Sequence, residues 1–473
     1  MESLFNRVTD GLKAGKSMDD LRYELLNQGF LADDVDEVLA KFTLSNLEAR
    51  RREEKKRERK FLFKELFDRI GYGFGAAQFV NILFWLSGAS LFFVGMFNGL
   101  RVIFGIVATH LLDRYKNRTS NKFIGRCGIL LGFSFLLMAM FTVIHQPWLF
   151  GLALLVGAVA AVCYGNLYQE LFSHSVKREK RGAILSRISY VGLLITGLSL
   201  LLAAYIMDRF PETGVPVTIN FLGMSATLRA FGYLIAFEIC AIAFILAGYV
   251  LTFIKGSYPV EEEPLKGKGL LNMPQLANGF HVLMSHKFIF LTAMSSSLIT
   301  VVQTLANSYY GLFIFSEFGR SFVNVAWIFL IALVTSFVSP VITRINARQY
   351  GTLPLLVFGA LLMSIMPLTY YVNPTFLAIS IATMVGVMGS VIVGVASSIF
   401  LNRAIRDSER PGFQSASNVM TSLFVLAMVP AGAFAAQKYG IGQLFLGLGI
   451  VLAFVVMPMF FIVVLLNYKK ENV

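Results

Sequence analysis

From about residue 70 onward, the chain alternates between long apolar stretches and short polar connections. A helix needs about 20 apolar residues to cross the hydrocarbon core of a bilayer. Twelve stretches reach or approach that length, which predicts twelve transmembrane helices. They lie at about 70–87, 89–112, 124–144, 148–171, 184–207, 230–254, 288–314, 322–343, 351–371, 375–401, 414–437 and 441–467. The boundary between the first two is the least defined, because residues 87–90 must supply the whole turn.

The first 60 residues have a different pattern and predict a small helical hairpin. Ser17 and Asp20 form an N-terminal capping pair for a helix that ends near Gly29. A second helix, at about 33–42, has an apolar face that can meet the apolar face of the first. These two faces consist of Leu21, Leu25, Leu26, Val35, Val38, Leu39 and Phe42.

We expect residues 1–48 to be a cytoplasmic module that binds a protein partner, and residues 49–66 to be a charged juxtamembrane linker. Two interpretations of the basic segment 50–60 stay open. It is either a solvated helix or a segment held against anionic lipid headgroups.

Composition agrees with a membrane protein. Of 473 residues, 56% are hydrophobic and 15% charged, whereas soluble domains carry about 25% charged residues. This composition excludes a nucleic-acid-binding protein, a secreted disulfide scaffold and an ordinary soluble enzyme. Cys127, Cys163 and Cys240 all fall in apolar stretches, and their spacing fits neither a disulfide framework nor a metal site.

The positive charge is concentrated in alternate connections. Residues 1–60 contain equal numbers of basic and acidic residues, so the formal net charge of +13 arises beyond them. The positive-inside rule places the basic loops, and with them both chain ends, in the cytoplasm of a cell-membrane protein. The loop residues concerned are Arg114, Lys116, Arg118, Lys122, Lys177, Arg178, Lys180, Arg181, Lys255, Lys266, Lys268, Arg344, Arg348, Arg403, Arg406 and Arg410.

The two halves of the chain share a loop pattern. Arg114 and Arg118 precede Arg344 and Arg348 by 230 residues, and Glu179 precedes Glu409 by the same distance. We therefore expect two six-helix bundles, 67–255 and 287–473. Residues 256–286 are polar and are expected to join the bundles as a cytoplasmic linker.

The loop after the second apolar stretch carries a motif. It reads Thr-His-Leu-Leu-Asp-Arg-Tyr-Lys-Asn-Arg over 109–118. With twelve spans and two similar halves, the chain resembles the major facilitator superfamily of secondary transporters, whose corresponding loop is Gly-x-x-x-Asp-Arg-x-Gly-Arg-Arg/Lys. Asp113, Arg114 and Arg118 match that motif, whereas Thr109, Lys116 and Asn117 depart from it. The resemblance covers about 65–467.

The resemblance implies an all-α fold of two pseudo-symmetric six-helix bundles and a role for this loop. In the family, the loop is a conformational latch that holds the cytoplasmic side closed. By resemblance, Asp113, Arg114 and Arg118 take that role, joined by Glu170 at the end of the fourth helix. The alternative is that these charges only anchor the topology at the membrane surface.

Charges in the middle of a span mark function by default, because burying them in lipid costs several kcal/mol. Arg101 lies near the middle of the second predicted helix and Glu238 in the sixth. Arg101 either binds an anionic substrate group or pairs structurally. Glu238 either carries a coupling proton or bonds a neighbouring helix.

In the family, helices one, four, seven and ten line a central cavity. Amide and phenol side chains on these helices would present directional hydrogen bonds to a polar solute, or would instead join helices to one another. The substrate-binding candidates are Gln78, Asn81, Arg101, Tyr164, Asn166, Tyr168, Gln303, Asn307 and Tyr310, and Ser390 lies on the same set of helices.

The sequence thus predicts a transporter, not an enzyme, that moves a small solute by alternating access in an ion or solute gradient. The Gly-Pro pair of drug–proton antiporters is missing from the fifth helix, since residues 189–206 contain no proline, which favours a cation symporter or a facilitator over a proton antiporter. The sugar-porter signature after helix six is missing as well. No cofactor or metal is expected, and the expected partners are the solute, a coupling cation or proton, and lipid. The alternative is a transport-inactive scaffold or sensor of the same fold.

Overall fold

The computed structural model describes residues 7–8, 10, 16–28, 30, 32–115, 121–176, 178–210, 214–221, 224–254 and 273–471. The chain divides into two compact units, Met1–Leu62 and Phe63–Val473. Helix α2, Ala32–Phe74, contributes its residues up to Leu62 to the first unit and the rest to the second.

The first unit contains a helix whose cap agrees with the prediction. Helix α1 spans Met18–Asn27, and the backbone N–H of Asp20 donates to Ser17 Oγ at 3.1 Å. A small core joins α1 to the start of α2. Its buried members are Val8, Leu25, Val35, Val38 and Leu39. Arg22 donates two hydrogen bonds to the Asp36 carboxylate, which lowers the pKa of that exposed group.

The second unit is a bundle of long apolar helices. Among the described residues, eleven helices are long and apolar enough to cross a membrane. Their bounds are α4 Leu91–Tyr115, α5 Asn121–Val143, α6 Pro147–Ser175, α7 Arg178–Arg209, α8 Gly232–Thr252, α10 Lys287–Glu317, α11 Phe322–Tyr350, α12 Leu353–Val372, α13 Phe376–Ala404, α14 Arg410–Tyr439, and α15 Ile441–Val451 continued through a π-helical turn, Leu452–Val456, into α16 Met457–Glu471. Two shorter helices accompany them, α3 Ala77–Leu86 and α9 Met273–Ser285.

The outer surface of this bundle is apolar. On α7, for example, Leu194, Leu198 and Leu202 are all exposed and lie one turn apart. A continuous apolar surface of this kind is suited to lipid rather than to water. Several hydroxyl groups inside the spans donate to the carbonyl one turn earlier, as Thr292 does to Phe288 and Thr304 to Thr300, so these groups are satisfied without water.

Glycines allow some of these helices to approach closely. A Cβ atom on Gly248 of α8 would lie 2.5 Å from the backbone oxygen of Gly125 on α5, and one on Gly125 would lie 2.6 Å from the oxygen of Gly248. Close approach at small residues is a main source of helix association in lipid, where packing replaces the hydrophobic effect.

The predicted first span, 70–87, is not a single helix. Helix α2 ends at Phe74 and α3 begins at Ala77, so the chain is interrupted at Gly75 and Ala76. A Cβ on Gly75 would lie 2.6 Å from Cys240 Sγ and 2.7 Å from the Phe135 ring. The predicted linker 49–66 belongs to the continuous helix α2, and its role as a juxtamembrane linker stays a prediction.

Two connections also differ from the prediction. The all-α expectation omits an antiparallel hairpin between α7 and α8, formed by β1 Val215–Phe221 and β2 Met224–Ala230. These strands are short and lie outside the apolar stretches. A prediction based on stretches long enough to span a membrane therefore does not detect them. The predicted linker 256–286 contains the helix α9, which packs on α14, where a Cβ on Gly279 would touch the Gly412 backbone.

Candidate functional site

A cavity of about 500 Å³ lies in the middle of the bundle. It is bounded by helices from the first half of the chain and by helices from the second half. Its lining consists of Arg69, Tyr72, Ala76, Ala77, Gln78, Thr196, Leu200, Val302, Gln303, Ala306, Asn307, Tyr310, Phe329, Ala332, Leu333, Ser336, Met363, Met366, Thr383, Gly386, Val387, Ser390 and Leu452. The walls are thus mainly apolar with a few polar groups, as is usual for small-molecule sites.

The helix interruption opens directly onto this cavity. Ala76, Ala77 and Gln78, which surround the break, all line it. Interrupted helices place backbone groups without helical partners at membrane depth, and such groups are tolerated only where they border protein or a cavity. Many transporters bind their solutes at such breaks.

Some polar groups of the lining already have hydrogen-bond partners. Gln303 Nε2 donates to Ser390 Oγ at 2.7 Å, which joins α10 to α13. Thr383 Oγ1 and the Tyr370 hydroxyl lie 3.0 Å apart. The Asn307 side chain is exposed and faces the cavity from α10. It is therefore placed to meet a solute.

A cluster of four charged residues lies beside the cavity at the end of α2. Lys64 and Asp68 are 2% and 3% exposed, and Lys64 Nζ lies 2.7 Å from Asp68 Oδ2. Lys64 Nζ also lies 3.2 Å from Glu65 Oε1. Arg69 Nε lies 3.7 Å from Glu65 Oε2, and Arg69 itself reaches the cavity.

Helix α6 covers this charge cluster with two tyrosines. The Tyr164 hydroxyl donates to Asp68 Oδ1 at 2.8 Å. Lys64 Nζ lies over the Tyr168 ring at 2.9 Å and over the Tyr164 ring at 5.0 Å from the centroid. Buried charges persist only when they are paired and hydrogen-bonded, and Lys64 and Asp68 meet both conditions.

A set of hydrogen bonds joins the two halves of the chain at one end of the bundle. Asp208, at the end of α7, accepts from the Ser321 hydroxyl at 2.7 Å and from the backbone N–H groups of Phe322 and Val323 at 2.7 and 3.0 Å. A carboxylate of the first half therefore caps the N-terminus of α11 in the second half, where the helix dipole favours negative charge.

Further contacts between the halves lie near this end. The Tyr309 hydroxyl donates to the Leu91 carbonyl at 2.8 Å. Asn81 Nδ2 donates to the Asn307 carbonyl at 2.9 Å. The alternating direction of the helices puts these contacts at the end opposite the basic loops.

No protein-family model and no curated protein matches the chain. Solved structures do match it. A mutant of the nucleoside transporter NupG is 14% identical with a TM-score of 0.69, over 85% of this chain and 100% of that one. A bacterial homologue of the iron transporter ferroportin in an inward-facing state is 14% identical with a TM-score of 0.63, over 86% and 98%. The major facilitator proton:xylose symporter XylE is 14% identical with a TM-score of 0.52, over 87% and 95%. The chain has the major facilitator fold.

Within the major facilitator fold, four of the predicted substrate-binding residues line the cavity. They are Gln78, Gln303, Asn307 and Tyr310. The resemblance pointed to helices one, four, seven and ten. Helices α3, α10 and α13 supply these side chains and Ser390, whereas α6, the fourth helix, contributes no residue to the described lining. Whether any of them binds a solute stays a prediction.

The remaining candidates lie elsewhere. Asn81 is buried, and its Oδ1 accepts from Asn98 Nδ2 at 2.9 Å, so it joins helices. Tyr164 and Tyr168 cover the charge cluster, and Asn166 lies 3.5 Å from the Thr109 hydroxyl. Arg101 is half-buried on α4, outside the cavity lining.

Glu238 is exposed on α8. It shares a helix face with Ile242 and Tyr249, which are also exposed. That face is on the outside of the bundle, away from the cavity. Its role as a proton carrier stays a prediction that this position does not favour.

The predicted latch falls mostly outside the described residues. Asp113 and Arg114 belong to the last turn of α4, where the structure describes the backbone alone, and Arg118 lies outside the described residues. Glu170 is half-buried near the end of α6, and its Oε2 has no hydrogen-bond partner among the described residues. The latch therefore stays a prediction.

The charge cluster was missed in the sequence. Lys64 with Asp68 and Glu65 with Arg69 are both four residues apart, and Phe61, Phe63 and Phe67 stand among them. Opposite charges at that spacing, set among aromatic residues, are the available signal for a buried helical pair. The charge cluster was missed because residues 50–60, which precede it, are densely charged, so the whole segment resembled a solvated linker.

Proposed function

We propose that this chain is a secondary transporter that moves a small solute across a membrane by alternating access. In this proposal, the end of α2 and α3 together form the first of twelve crossings, and both chain ends lie in the cytoplasm. The observation that carries the proposal is the cavity, because it lies at a helix interruption between the two halves and presents polar groups from both of them.

The contacts between the halves support alternating access. The contacts made by Asp208, Tyr309 and Asn81 lie at one end of the bundle. A rocking motion of the halves about the cavity would have to break these hydrogen bonds, together with the packing of α4 on α14 and of α7 on α11, to open that end.

The neighbours suggest solutes for a first screen. A nucleoside transporter and a xylose symporter share the fold, so uridine and D-xylose belong in it. An ion or solute gradient would drive the flux. The charge cluster gives this chain buried carboxylates near the cavity, which makes Glu65 and Asp68 more suitable proton carriers than the exposed Glu238.

The test combines binding and flux. Purified protein is screened by thermal unfolding against uridine, D-xylose and a set of small organic acids, because a ligand of the folded state raises its melting temperature. Hits are then assayed for saturable uptake into proteoliposomes. Ala332→Trp should fill part of the cavity and abolish uptake, whereas Leu198→Trp on the lipid-facing surface should leave it unchanged.

Two outcomes would contradict the proposal. Binding without flux would favour the transport-inactive scaffold or sensor. Flux that Ala332→Trp leaves unchanged would show that the solute takes another route through the bundle.

A further inference from the structure

The charge that the described lining brings to the cavity is positive. Among the described residues of its lining, Arg69 is the one charged side chain. We infer that the transported solute carries an anionic group, a carboxylate or a phosphate, and that the Arg69 guanidinium binds it. This inference rests on the proposed transport function and specifies the solute class of the same cavity.

The Arg69 guanidinium is available for a ligand. Its Nε is buried and has no hydrogen-bond partner among the described residues. The nearest acid, Glu65, lies 3.7 Å from Nε, which is beyond hydrogen-bonding distance. The side chain is 37% exposed and reaches the cavity. A guanidinium offers five donors in a planar fork, and this one borders the space where a solute would lie.

The neighbouring carboxylates already have closer partners. Asp68 accepts from Tyr164 and pairs with Lys64 at 2.7 Å. Glu65 lies 3.2 Å from the same lysine. Lys64 is thus shared by both acids, and Arg69 Nε keeps an ion pair with Glu65 at 3.7 Å but no hydrogen bond among the described residues. An incoming carboxylate or phosphate would complete the hydrogen bonding of Arg69 without displacing a closer partner.

Helix α7 forms the other side of the Arg69 position. A Cβ on Gly192 would lie 2.8 Å from Arg69 Nε, so this glycine makes room for the side chain. One turn further, Thr196 lines the cavity, and its buried Oγ1 has no hydrogen-bond partner among the described residues. A hydroxyl donor and a guanidinium on facing helices suit one anionic group, which accepts from both.

The rest of the cavity defines the rest of the solute. Gln78 and Asn307 offer amides, and apolar side chains such as Leu333 and Met366 form much of the wall. These groups suit a small molecule with one anionic end and a neutral hydroxylated body. A neutral solute would cover the guanidinium without replacing its hydration, which is unfavourable for a charged group.

The experiment compares acids with their neutral counterparts. Purified full-length protein is titrated with D-gluconate, D-glycerate, glucose 6-phosphate and glycerol 3-phosphate, each beside D-glucose or glycerol at equal ionic strength. Binding is measured by the thermal shift and by calorimetry. We expect at least one acid to bind at least 10-fold more tightly than its neutral counterpart. Comparing the carboxylates with the phosphates shows which of the two anionic groups the site prefers.

Variants locate the binding group. Arg69→Gln should weaken binding of that acid about 10- to 100-fold, as expected for charge-assisted hydrogen bonds, and should leave binding of neutral polyols unaltered. Arg69→Lys should keep part of the affinity, because it retains charge but loses the planar fork. Gly192→Ala should displace the arginine and weaken the same acid. Arg126→Gln, on an exposed site of α5, is the matched control and should have no effect.

Several results would overturn the inference. It is wrong if no acid in the set binds better than its neutral counterpart, if Arg69→Gln leaves acid binding intact, or if Arg101→Gln removes it instead. Flux of a neutral solute that Arg69→Gln leaves intact would keep the transport function and reject the anion site. Acid binding that requires Arg69, without any flux, would keep the site and reject transport.

Discussion

At the scale of the residue, the unusual feature is a lysine with 2% exposure inside an apolar bundle. Lys64 is paired with Asp68 one turn away and lies on the face of Tyr168. Taking such charges out of water is costly, and their mutual attraction and hydrogen bonds offset that cost only while all partners are present. The cluster is therefore expected to be sensitive to the loss of any one charge.

Lys64→Met tests this dependence. Removing the lysine leaves the buried Asp68 carboxylate without its cation, and breaking a buried pair in this way costs about 3–5 kcal/mol. Thermal unfolding in detergent should show a clear fall in melting temperature. The double variant Lys64→Met with Asp68→Asn should recover much of the loss, and Lys122→Met on an exposed site of α5 should cause none. Equal melting of the single variant and the original protein would mean that the cluster does not stabilise the fold.

The residue scale also shows what sequence reasoning can and cannot supply. Gln303 and Asn307 were found because amides in an apolar span are conspicuous, and both line the cavity. Arg69 was missed because it follows a long charged run, so its position looked solvated. Which face of a helix points inward depends on its neighbours, and for Asn81 the structure gives a helix-joining role that spacing alone does not reveal.

At the scale of the element, length and apolar content predicted the spanning helices well, because the thickness of the bilayer dictates both. The interruption at Gly75 and the hairpin Val215–Ala230 were not predicted. The interruption depends on packing of Gly75 against Cys240 and Phe135. The hairpin lies in a connection between spans, where the thickness of the bilayer does not dictate the length of an element. Helices whose length is dictated by the bilayer can thus be predicted from the sequence. Breaks and turns that depend on packing against other parts of the chain cannot.

The crossing of α5 and α8 provides an element-scale test. In Gly248→Ala, the new methyl group would lie 2.5 Å from the Gly125 oxygen, which is backbone and cannot turn aside. Forcing the helices apart should cost about 1–3 kcal/mol and lower the melting temperature. Gly447→Ala, in α15 with nothing within 4 Å of its Cβ position, should cause no loss. If both variants melt like the original protein, the close approach contributes little to stability.

At the scale of the whole molecule, the two halves are joined at one end by Asp208, which caps α11 across the interface. The charge pattern predicts that this end faces away from the cytoplasm. Hydrogen bonds to a charged group contribute about 1.5–3 kcal/mol, and about 1.4 kcal/mol changes a population 10-fold. In the proposed alternating-access cycle, one carboxylate is thus enough to bias which end of the cavity is open.

Asp208→Ala should shift the molecule toward the opposite state. In a background lacking the three native cysteines, Gln78→Cys would report access to the cavity. An impermeant thiol reagent added to the outside of cells should label it about 10-fold faster when Asp208 is also replaced by alanine. Glu317→Gln, an exposed acid at the same end, should not change the labelling rate. Unchanged labelling in the Asp208 variant would show that other contacts hold this end closed.

The composition of the charge cluster has an electrical consequence. Lys64 and Arg69 balance Glu65 and Asp68, so the segment that bears them is neutral as a unit. Moving one elementary charge through a potential of 100 mV involves about 2.3 kcal/mol, but a neutral segment moves through the same field without that work. While both carboxylates are charged, the proposed rocking step should then be insensitive to voltage. Any current recorded during turnover would belong to the cargo and its co-transported ions, so its sign would report the net charge of what is carried.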